Sequence, residues 1–156
     1  MLDAVRRIVQ ALRESSRFAE RRVGLTSAQL FVLQKLAESP ASSLNDLAAR
    51  THTHQSSVSV VVTRLVQQGL VRRAPSTVDG RSVELRLSTR GRRAAVGAPD
   101  LAQARLIGAI DRLTPPRRRQ LASTLGEVAD ALAGADDAPA MFFEERRPRA
   151  RRATRA

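Results

Sequence analysis

The sequence predicts a mainly helical chain carrying one two-stranded β-hairpin, an α+β arrangement with helices on both sides of the hairpin. Three observations predict it. Apolar residues recur at helical spacing through most of the chain, as in Leu2, Val5, Val9 and Leu12 or Val58, Val61, Val62 and Leu65. Strict alternation occurs over one stretch, where Val83, Leu85 and Leu87 interleave with Glu84, Arg86 and Ser88. Asp79 and Gly80 stand just ahead of that stretch, where a hairpin turns.

The elements follow in order. The first helix starts at Leu2 and leaves Arg6, Arg7, Arg13 and Glu14 on its polar faces. The second runs from about Ser27 to Glu38: Thr26 and Gln29 form a capping box, Leu25 and Leu30 a hydrophobic staple, and Pro40 a stop. A short third helix is carried by N-D-L-A-A-R at 45 to 50, with Ser43 or Asn45 as its cap, and T-H-T-H interrupts it. The fourth begins near Gln55 and closes at Gly69. Two helices joined by a short polar turn, the second polar along its first turn, suit a helix-turn-helix.

Strands are expected at 70 to 74 and 82 to 88, with S-T-V-D-G-R as the tip between them. Helix-turn-helix followed by hairpin is a winged helix. Ser88 or Thr89 then caps a helix through Val96, G-A-P at 97 to 99 breaks it, and Asp100 restarts it with Leu101, Leu106, Ile110 and Leu113. Thr114 is placed as the N-cap, and Pro115 as the first residue, of a last helix striped by Leu121, Leu125, Val128 and Leu132. Such stripes on the first and last helices exceed what a small winged lobe can cover, and predict pairing with a second copy. The organisation expected is a dimerisation helix at 1–24, a winged lobe at 25–90, dimerisation helices at 91–133, and a basic, disordered tail at 134–156. The tail holds Met141, Phe142 and Phe143, for which three readings stay open: folding back on the dimerisation helices, slightly preferred, docking on a partner, or no role. Residues 144 to 156, with six Arg and two Glu, supply +4 of the net charge.

Composition narrows the partners. Lys plus Arg is 27 against 15 Asp plus Glu, a formal +12, and Lys35 alone among the cations is lysine. That balance points to a polyanion, and guanidinium groups fork onto phosphate and stack on bases. The chain has no cysteine, which excludes disulfides and thiolate metal sites. No apolar run approaches the ~18 to 20 residues of a membrane span, so a cytoplasmic, nucleoid-associated chain is expected. His52 and His54 lie two apart in a turn and read as solvated residues rather than metal ligands. No phosphate loop, paired carboxylates or nucleophile elbow supports an enzyme, and no cofactor is implied.

The order of parts resembles the MarR (multiple antibiotic resistance regulator) family over residues 1 to about 133. The resemblance is carried by L-T-S-A-Q-L at 25 to 30, L-N-D-L-A at 44 to 48, and Q-S-S-V-S with R-L-V-Q-Q-G-L-V from 55 to 71. Its most specific part is D-G-R at 79 to 81 ahead of L-R-L-S-T-R-G at 85 to 91. The resemblance implies a homodimer on double-stranded DNA at a pseudo-palindromic operator. It also implies repression that a small phenolic or aromatic acid relieves. Base-edge contacts then fall to Gln55, Ser56, Ser57, Ser59 and Thr63, and a minor-groove contact to Arg81. Asp79 is implied as a brace of the wing, paired with Arg64. Val60 stands where family members often carry arginine; off the buried stripe, it is expected to face DNA, where it could touch a thymine methyl, or else to pack against neighbours. Phosphate contacts shift to Arg72, Arg73, Arg86 and Arg90. Two other readings remain open: a basic architectural DNA binder with little base readout, and a winged helix used as a surface for partner proteins.

Overall fold

The computed structural model describes residues 1–75, 83–97 and 101–133. Seven helices and one hairpin follow in the order α1 (Leu2–Val23), α2 (Ser27–Glu38), α3 (Leu44–Arg50), α4 (Gln55–Gln67), β1 (Val71–Pro75), β2 (Val83–Leu87), α5 (Thr89–Val96), α6 (Ala102–Asp111) and α7 (Pro115–Ala133). This is the mainly helical, winged architecture the sequence predicts.

The caps show why these boundaries hold. Thr26 accepts from the Gln29 amide at 3.2 Å, and the Gln29 side chain accepts from the Thr26 amide at 3.0 Å, so the capping box is complete. Of the two candidates ahead of α3, Ser43 is the cap, taking the Asp46 amide at 3.0 Å. Ser88 caps α5 by accepting from Gly91 at 3.0 Å. At α7 the Thr114 carbonyl accepts the first helical bond from Arg118, and Pro115 opens the helix.

Several boundaries differ from expectation: α3 already starts at Leu44, β1 ends at Pro75 rather than residue 74, and β2 ends at Leu87 because Ser88 is taken as the cap of α5. The first strand starts at Val71 rather than residue 70, because the Leu70 amide is already bonded to the Leu65 carbonyl in the closing turn of α4. Helix α6 starts at Ala102, with Leu101 at its N-cap, and the Ala102 amide donates to Ser15 Oγ of α1 at 3.0 Å. A donor from the opening turn of α6 is therefore met from α1. Asp100, expected to restart the helix, lies outside the described residues.

The core gathers Leu30, Phe31, Leu33, Leu47, Val58, Val61, Val62 and Leu65 with Leu85 and Leu87 of the wing. Ala19 of α1 and Leu101 join the same cluster, so the lobe packs directly against the outer helices. The hairpin is antiparallel, with Val71 opposite Leu87 and Arg73 opposite Leu85. Ala41 adds a one-residue bridge: its amide donates to the Leu85 carbonyl at 3.1 Å and its carbonyl accepts from Leu85 at 2.7 Å. Ala41, just past the Pro40 stop, thus anchors the wing to the end of α2.

Arg50 ties α2 to α3. Its guanidinium donates to the carbonyls of Lys35, Ser39 (3.0 Å) and Pro40 (3.2 Å), and lies 3.9 Å from Asp46. A cation here meets the orphan carbonyls and the negative end of α2 together. Arg50→Ala is expected to cost about 2 kcal/mol in chemical denaturation, because several charge-assisted bonds are lost at once. Arg50→Lys should recover less than half, since one ammonium cannot span the fork. Full rescue by lysine would show that charge alone matters.

Candidate nucleic-acid interface

Helix α4 is fixed at both ends. Thr51 closes α3: its buried hydroxyl donates to the Leu47 and Ala48 carbonyls at 2.8 and 3.2 Å. His52 then takes a left-handed φ of 51°, which swings the chain into α4 at its N-cap, His54. At the other end Gly69 adopts φ 69°, its amide bonding Val66 while that of Leu70 bonds Leu65, a Schellman closure. Only a residue free of a Cβ takes that conformation without strain, and it sends the chain straight into β1.

Between those ends the buried side of α4 is Ser57, Val58, Val61, Val62 and Leu65. Gln55, Ser56, Val60 and Thr63 are exposed, and Ser59 is half-buried. Val60 is 48% exposed, so it packs into no core. Ser57 is different: at 8% exposure it faces inward, and it has a partner there. The signal was present in sequence, since Ser57, Val61 and Leu65 form one i, i+4, i+8 row.

On the hairpin, Arg72 and Arg73 are exposed. Arg72 sits directly opposite Arg86, a like-charge pair that by itself would be unfavourable. Glu84 offsets it: Arg86 Nε and Nη2 both donate to Glu84 Oε2, at 2.9 and 2.7 Å. The Glu84 residue is buried even though strand alternation puts it on the outer face. Glu two residues before Arg on one strand was the available sign. Arg86 is thus half-buried and committed to an internal pair, whereas Arg72 and Arg73 remain on the surface. Arg90 donates to the Gln68 carbonyl at 3.2 Å, placing a cation at the C-terminal end of α4. Arg64 is half-buried and also has a partner. Asp79 and Arg81 lie outside the described residues, as does the tail with Met141, Phe142 and Phe143.

Among the described residues no group of three or more His, Asp or Glu is placed to hold a metal ion, and no helix is long and apolar enough to cross a membrane. A helix with a neutral polar face, beside exposed arginines on an adjoining hairpin, can insert into a groove while the cations meet phosphates.

Comparison with known proteins agrees. The family model for the MarR family matches residues 25–83. The HTH-type transcriptional repressor Rv2887 of Mycobacterium tuberculosis is 30% identical over 106 residues, covering 68% of this chain and 76% of that protein. The HTH-type transcriptional repressor MdtR of Bacillus subtilis is 35% identical over 68 residues, 44% of each chain. Among solved structures, the MarR family transcriptional regulator Sco3205 from Streptomyces coelicolor, in complex with DNA, superposes with a TM-score of 0.54 at 25% identity, covering 88% of this chain and 92% of that one. A probable transcriptional regulator from Pseudomonas aeruginosa gives 0.52 at 28% identity, covering 82% and 96%. The chain belongs to the MarR family of DNA-binding transcriptional regulators.

Proposed function

We propose that the chain is a homodimeric repressor of a pseudo-palindromic operator, released by a small phenolic or aromatic acid. The observation that carries the reading is the exposed face of α4, neutral and polar, flanked by the exposed arginines of β1. Helix α4 enters the major groove with Gln55, Ser56, Ser59, Val60 and Thr63 towards base edges. Ser57 supports that face from beneath. Arg72, Arg73 and Arg90 meet phosphates; Arg86 acts mainly by holding Glu84. Arg81, with Asp79 as its brace, is assigned to the minor groove on the resemblance alone. Residues 25–90 form the DNA-binding lobe, 1–24 and 91–133 the dimer region, and 134–156 a basic tail.

Repression is supported by the names of the relatives, which are repressors. Regulated release would act through spacing: both half-sites must be met about 34 to 36 Å apart. A ligand wedged between the dimer region and the lobes would alter that spacing and favour the state that binds DNA poorly.

The test is binding to labelled DNA from the upstream region of its own gene, beside a shuffled duplex, across a salt series. A preference of about 10³-fold or more is expected for the operator. In the Arg72→Ala/Arg73→Ala chain, up to four phosphate contacts per dimer vanish, and the slope of log affinity against log salt should fall by about 3 to 4. Equal binding to both duplexes would favour a basic architectural protein. An unchanged salt slope would remove Arg72 and Arg73 from the interface. Titration of aromatic acids into the operator complex tests release, and affinity unmoved by all of them would sink it.

A further inference from the structure

We infer that α4 reads A·T pairs, and that Val60 and Thr63 do so through the C5-methyl group of thymine; this rests on the proposed seating of α4 in the major groove. From Gln55 to Thr63 the helix reads Q-S-S-V-S-V-V-V-T, without a charged residue. Guanine is most often read by an arginine or lysine forked onto O6 and N7, and neither is present on this stretch. The groups that are present fit the other base pair. Gln55 matches the N6 and N7 edge of adenine, while the serines accept or donate to any base.

Val60 has only methyl groups to offer, and the thymine C5-methyl is the apolar feature of the major groove. Its exposure of 48% leaves it available, and as a β-branched residue it gains nothing in a helix by standing in water. Thr63 stands one turn further along the same face. Its hydroxyl donates to the Ser59 carbonyl at 2.8 Å, so the proton is committed to the backbone; the oxygen can still accept, and the methyl is free to meet a base. Two neighbouring side chains therefore present a methyl surface amid amides and hydroxyls. The same contact would form at a C·G pair carrying 5-methylcytosine, whose methyl occupies the same place in the groove.

The experiment selects binding sites from random duplexes with the full chain, then replaces each enriched thymine by uracil at symmetry-related positions together. Burial of one methyl corresponds to about a 4-fold change in affinity per half-site, or about 15-fold for both. That loss is expected at one pair of positions for the wild-type chain. Val60→Ala should bind thymine DNA with a similar loss and suffer little further on uracil DNA; because the side chain is exposed, the variant should melt with the wild type. Guanine or cytosine enriched under α4, a wild-type chain indifferent to uracil throughout, or a uracil penalty undiminished in Val60→Ala would each overturn the inference. If an enriched site emerges and uracil is neutral, the inference falls while the seating of α4 in the groove stands. If selection enriches no site, the seating of α4 falls with it.

Discussion

Gly91→Ala is expected to destabilise the chain by about 3 kcal/mol. A Cβ built at Gly91 would lie 2.0 Å from the Leu70 carbonyl oxygen and 2.9 Å from its carbon. Those atoms cannot retreat cheaply. The Leu70 carbonyl accepts from Ser88 at 3.0 Å, its amide closes α4 on Leu65 at 2.9 Å, and its side chain is buried. Moving Leu70 would loosen the end of α4, the start of β1 and the cap of α5 together. The glycine after L-R-L-S-T-R therefore serves close approach, and its φ is not among the positive ones. The thermal midpoint should fall by about 6 to 12 °C. Gly126→Ala is the control: a Cβ there meets nothing within 4 Å, so α7 should gain up to about 1 kcal/mol from helix propensity. Similar shifts in both variants would remove the steric account.

That contact also marks where the sequence stops being legible. Interactions spanning three or four residues could be read directly: Thr26 with Gln29, the buried row through Val58, Val61, Val62 and Leu65, and Gly69 closing α4. In each, the partners share one turn, so spacing alone brings them together. Contacts between elements were not readable. Ala41 bridges Leu85, Arg50 reaches back to the last carbonyls of α2, and Gly91 meets Leu70 only after the hairpin has turned the chain round. The candidate site divides in the same way. The outward face of α4 followed from periodicity, including the exposure of Val60. The pairing of Arg86 with Glu84 could be read only from their two-residue separation on one strand, because composition ranks no partner when 27 cations compete for 15 anions.

Val5→Glu/Ile8→Glu is expected to leave the lobe folded, break the dimer, and lower operator affinity by about 10³-fold or more. Helix α1 changes partners along its length. Leu12, Ser16 and Ala19 are buried within the protomer, whereas Leu2, Val5, Ile8 and Val9 are 64, 49, 44 and 38% exposed. On α7, Leu125, Val128 and Leu132 stand out in the same way at 53, 52 and 84%. Exposed apolar stripes at helical spacing on both outer helices mark an interaction surface, and a second copy offers a matching one. Carboxylates placed there remain solvated in the monomer but would be desolvated in a dimer, so the penalty falls on association. Helical content by circular dichroism should be retained while light scattering reports the monomer mass. A protomer alone meets one half-site, and losing the second leaves affinity near the non-specific range of about 10⁻⁴ to 10⁻⁶ M. A dimer that survives both carboxylates would move the interface to α7, where Leu125→Glu/Val128→Glu repeats the test. A monomer that still binds the operator tightly would mean that one winged lobe suffices, and that release cannot work by changing the distance between two.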